Sequence, residues 1–131
     1  MKKFDLLTGA AIAALLLAPM PVLAADAAGE IVTAATHADL ASKAADLAGT
    51  QMHLHHALNC LVGPAGAGFD PKNLNPCANA GNGAIPDTAD AAKKLALEAA
   101  ANTARAGLAA ADMATAQKDA AAAARELKAV K

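Results

Sequence analysis

The distribution of glycine and proline constrains this chain more than any other feature. From Glu30 to Val62 there is no proline and one glycine, Gly49. From Gly63 to Pro86 there are five glycines and four prolines, and from Asp87 to Lys131 again no proline and one glycine, Gly107. Alanine dominates both flanks; it is the best helix former, whereas glycine and proline are the worst. The pattern predicts an all-α chain, helical over 30–62, looped over 63–86 and helical over 87–131.

The first helical region has a register. Leu40, Leu47, Leu54 and Leu61 recur every seven residues, with Leu58 beside them and Ala41, Ala44 and Ala48 at flanking positions. Such a stripe packs lengthwise along another helix. Thr33 or Thr36 is a candidate N-cap, and Gly63-Pro64 a stop. In the second region Asp87 is the expected N-cap, and Arg125, Lys128 and Lys131 suit the C-terminal dipole. Two architectures satisfy the pattern. One is an up-down four-helix bundle, with breaks near Gly49 and Gly107. The other is an antiparallel helical hairpin, which would form a homodimer to bury its stripe. A 30-residue helix is about 45 Å long, too elongated for a lone hairpin.

The N-terminus reads as a secretory signal peptide over 1–24. Lys2 and Lys3 precede an apolar stretch from Leu6 to Leu17, Pro19 and Pro21 break it, and Val22-Leu23-Ala24 suits a cleavage point. The apolar stretch is shorter than the roughly 20 residues of a spanning helix, so no membrane span is expected after cleavage. The remaining residues, 25–131, suit a single helical domain, periplasmic or secreted. They carry 9 basic and 11 acidic residues, a formal net charge of −2, without a basic patch. Phe69 is their only aromatic residue. A nucleic-acid interface is therefore not expected. In an exported chain two cysteines pair, so Cys60 and Cys77 are expected to form a disulfide that pins the loop. Closing such a loop is worth about 3 kcal/mol in the chain-entropy account.

Three of the four histidines lie together, in Met52-His53-Leu54-His55-His56. At ~100° per residue, His53, His56 and Cys60 share one narrow face, roughly opposite the leucine stripe, and His55 points elsewhere. Residues three apart on a helix can converge on one ion. His53 and His56 are thus the leading metal ligands, with His55 and Met52 as additional candidates. Imidazole suits copper, nickel and zinc, and a thioether favours reduced copper. His37 lies more than four turns from His55, too far to join. A closed zinc site adding both thiols to His53 and His56 has the right ligand count, but needs reduced cysteines. The plain alternative is surface histidines beside a structural disulfide. If the loop folds back over the outer face carrying His53 and His56, Phe69 could seat it. Asp70, Asn73, Asn75, Asn79 and Asn82 could then offer oxygens.

No catalytic constellation accompanies these residues. Ser42 is the only serine and no histidine sits one turn from it, and there is no phosphate-binding glycine loop or haem attachment motif. The chain is read as a non-enzyme.

Signal peptide, alanine-rich helices and the His-x-His-His cluster together resemble small periplasmic helical-bundle metal-binding proteins. Those proteins spread many histidines along every helix, whereas this chain concentrates three at one helix end. The resemblance thus implies one defined transition-metal site, not high-capacity buffering. The competing reading is an interaction module whose disulfide-pinned loop meets an envelope protein partner through Phe69 and Cys77.

Overall fold

In the computed structural model, residues 25–130 are described; the expected signal peptide, 1–24, lies outside them. The described residues are all-helical, in the order α1 (Ala27–Ala41), α2 (Leu47–Val62), α3 (Ala84–Asp87), α4 (Ala91–Ala109) and α5 (Met113–Ala129). No helix among them is long and apolar enough to cross a membrane.

Both helical regions break, but not at their glycines. The breaks fall at 42–46 and 110–112. Each long helix starts behind an aspartate whose side chain accepts a hydrogen bond from the amide three residues on. The pairs are Asp26 with Gly29 (2.9 Å), Asp46 with Gly49 (2.7 Å), Asp90 with Lys93 (2.8 Å) and Asp112 with Thr115 (2.9 Å). A cap of this kind satisfies an otherwise orphaned helical donor and is typically worth about 1 kcal/mol. The expected caps Thr33 and Thr36 instead lie inside α1, their hydroxyls bonded back to Gly29 and Val32 carbonyls. Asp87 closes α3 rather than opening α4.

Gly49 sits in the first turn of α2, where it donates to the cap. Gly107 lies inside α4, and a Cβ there would come within 2.9 Å of the Leu54 side chain. It is a close-approach glycine between α2 and α4, not a break. Gly63 does stop α2, with φ of +66°, and a side chain there would run into the Asn82 carbonyl.

The break at 42–46 lets α1 fold back along α2. Helix α1 packs against α2 and α5, and α4 against α5 and α2. The heptad stripe does not survive this turn. Leu54, Leu58 and Leu61 are buried, but Leu40 is 43% exposed, because its phase counted through residues that are not helical. Alanines supply most of the core: Ala34, Ala38 and Ala41 from α1, Ala100, Ala101 and Ala104 from α4, and Ala120, Ala123 and Ala124 from α5. Leu97 and Leu127 are its large members outside α2.

Cys60 and Cys77 form a disulfide, with sulfurs 2.11 Å apart. Beside it, the fully buried Asn59 side chain holds the loop. Its amide donates to the carbonyls of Asp70 (3.0 Å), Asn73 (3.2 Å) and Leu74 (3.2 Å), and its oxygen accepts from the Asp70 amide (2.9 Å). One side chain thus ties down three residues of an otherwise irregular stretch, and leaves none of its own polar atoms unpaired.

Candidate metal centre

The return of α1 along α2 brings together residues that are distant on a continuous helix. His37 of α1 meets His53 and His56 of α2, and one ring nitrogen from each lies within 4.8 Å of the other two. The Nδ1 atoms of His37 and His53 are 3.3 Å apart. Tetrahedral nitrogen ligands at 2.0–2.1 Å from zinc lie about 3.3–3.4 Å from one another, so this pair already stands at a ligating distance. The third ring needs an approach of up to about 1.5 Å, within the reach of side-chain rotation.

The cluster could hold a metal ion, and its electrostatics favour the form that ligates. His56 is buried and its Nδ1 has no hydrogen-bond partner, while His37 and His53 are partly buried. Burial, followed by the neighbouring histidines, holds His37 and His56 below the usual imidazole range. A neutral imidazole has the free lone pair that a metal requires, and a buried nitrogen without a partner is costly until something binds it.

The face on which His53, His56 and Cys60 lie is turned inward, not outward. It meets α1: His37 stands against the two histidines, and the Cys77 sulfur lies 3.9 Å from the Glu30 carbonyl oxygen. The loop covers the other side of α2. His55 points there, its Nδ1 3.6 Å from the Asp70 carboxylate, too long for a hydrogen bond. His55 is not among the three converging rings. Met52 is 43% exposed on the surface of α2. The disulfide removes both thiols from ligation, so the closed cysteine–histidine zinc site does not form.

The loop groups build the loop. Asp70 accepts from the Lys72 amide and the Asn73 side chain, which hold its carboxyl below the usual range. Asn75 accepts from the Cys77 amide, and Asn82 donates to Asp87 through its backbone and its side chain. Phe69 packs against the hydrophobic core.

His37 is the residue that sequence reasoning excluded. The signal that could have found it is Asp46, followed three residues later by Gly49. That cap divides 30–62 into two helices, and the resulting hairpin places His37 opposite the α2 histidines.

A second polar focus sits at the start of α1. Glu30 is fully buried; its Oε1 accepts from the Gly83 amide (3.0 Å) and its Oε2 has no partner. Burial is the main reason its carboxyl is raised to about 7, and the Asp87 and Asp26 charges add to it. Gly81 passes so close that any side chain there would meet the Asp87 and Glu30 carboxylates.

No known protein family, curated protein or solved structure matches this chain.

Proposed function

We propose that this chain is a small exported, non-enzymatic protein that holds one transition-metal ion through His37, His53 and His56. The observation that carries the reading is the convergence of three ring nitrogens within 4.8 Å from two different helices. An all-imidazole donor set suits zinc, copper or nickel. Export rests on the basic start and short apolar stretch of the first 24 residues, and a disulfide is in keeping with an oxidising compartment. The four long helices are read as an up-down bundle, because the connections at 42–46 and 110–112 are short. In this reading His55 and Met52 are outside the ligand set. The interaction-module reading has less support, since Phe69 is spent on the chain's own core.

Metal titration of the purified protein tests the proposal. One equivalent of zinc, copper or nickel is expected to bind, and at about a hundred times its Kd to stabilise the fold by about 2.7 kcal/mol. His37→Ala, His53→Ala and His56→Ala should each abolish that gain, and His55→Ala and Met52→Ala should keep it. Equal binding by the triple alanine variant, or no binding by the wild type, would sink the reading.

A further inference from the structure

A cleft of about 530 Å³ lies away from the histidines, between the end of α2, α3 and one face of α4. Val62, Ile85 and Pro86 give it an apolar wall, and Glu98, Asn102 and Arg105 line it from α4. Its volume is that of a small-ligand site, and few polar groups on an apolar wall are what such sites present.

The two charges in the cleft are unequal in character but alike in having no ionic partner. Arg105 donates to the Asn102 side-chain oxygen (2.8 Å) and to the Ala67 carbonyl (2.9 Å). Both acceptors are neutral, so the guanidinium is held in place with its charge uncompensated. Two of its five donors are occupied, and the rest remain for a carboxylate. Glu98 is exposed, and no ion pair among the described residues includes either Glu98 or Arg105.

Their opposite charges select a ligand. Seven residues apart, they stand two turns from each other on one face of α4, with the Arg105 guanidinium reaching back over Asn102. A short extended peptide carries an ammonium at one end and a carboxylate at the other, the complement of a carboxylate and a guanidinium on one helix face. The geometry points to a site for a short zwitterionic peptide. Its C-terminal carboxylate meets Arg105, its N-terminal ammonium meets Glu98, and an apolar central side chain lies on Val62, Ile85 and Pro86. This inference is independent of the metal reading.

An NMR titration with the tripeptide alanyl-leucyl-alanine tests it. Saturable shifts are expected for the Val62, Ala67 and Ile85 amides. C-terminal amidation and N-terminal acetylation of the peptide should each weaken binding about tenfold, the loss of one charge-assisted contact. Arg105→Gln should weaken the free acid yet leave the amidated peptide unchanged. Glu98→Gln should weaken the free amine yet leave the acetylated peptide unchanged. Because Glu98 is exposed and unpaired, its variant tests the site without disturbing the fold. Absence of saturable shifts overturns the inference, as does binding indifferent to both terminal charges, or shifts that map to another surface.

Discussion

The α1–α2 half of the molecule and the α4–α5 half pack alike and are chemically opposite. Residues buried in α4 and α5 are alanine, leucine and one glycine. Those buried in α1 and α2 include Glu30, Thr50, His56 and Asn59. Buried polar groups cost stability unless each finds a partner. Asn59 is fully satisfied, whereas Glu30 and His56 each keep one buried atom without a partner. The buried face of one half, the packing half, is apolar throughout; the other gives up stability at specific buried atoms, among them His56 Nδ1 in the candidate metal centre.

The contrast can be broken most strongly at Leu97. Leu97→Ala removes a fully buried side chain from the packing half and should cost about 2–5 kcal/mol in urea unfolding. Metal stoichiometry should stay at the wild-type value. A variant that folds but loses metal would show that the halves are not separable.

Glu30 sharpens the comparison through pH. Its carboxyl is raised from 4.5 to about 7, so the folded state keeps a proton that the unfolded chain gives up. The penalty is absent below about 4.5, grows across that interval and is complete above about 7, where it amounts to about 3 kcal/mol. Glu30→Gln should therefore gain stability above pH 7 and almost none at pH 4. His37 and His56 act in the opposite direction. Their folded-state values lie below 6.5, so the metal-free protein loses stability as the pH falls through that value and the unfolded chain takes up protons first. Unfolding curves from pH 4 to 8 on the metal-free protein, with and without the Glu30 substitution, separate the two.

Asn59→Ala is the next smaller effect. It strips the loop of its clamp, leaves the Asp70 amide and three carbonyls to find water, and should cost about 2 kcal/mol. Amide exchange should accelerate at 70–74 and stay slow in α4 and α5. Uniform acceleration would mean that the loop and the packing half unfold as one. Lys128→Ala, at the exposed Asp39 pair, should leave the melting midpoint unmoved.

The sequence made the loop and the disulfide legible because glycine, proline and cysteine act locally. The common face of His53, His56 and Cys60 was equally readable, since helix periodicity alone places them there. What faced them was not. The four-helix reading put a break near Gly49, but the leucine repeat ran unbroken through 42–46, and alanine on every side gave no hydrophobic contrast to choose that reading over a continuous helix. A single capping aspartate outweighed that repeat. Once α1 folded back, His37 changed from the most distant histidine to a nearest neighbour, and the outward face became an inner one.

The alanine core has a calorimetric consequence. Of the 21 buried hydrophobic residues among those described, 13 are alanine. The heat capacity of unfolding grows with the apolar surface exposed, and sets how sharply stability curves with temperature. A core of methyl groups exposes little. The protein should therefore unfold with a heat-capacity increment below the usual ~12–15 cal/mol/K per residue, on a stability curve that is broad and low rather than tall and narrow.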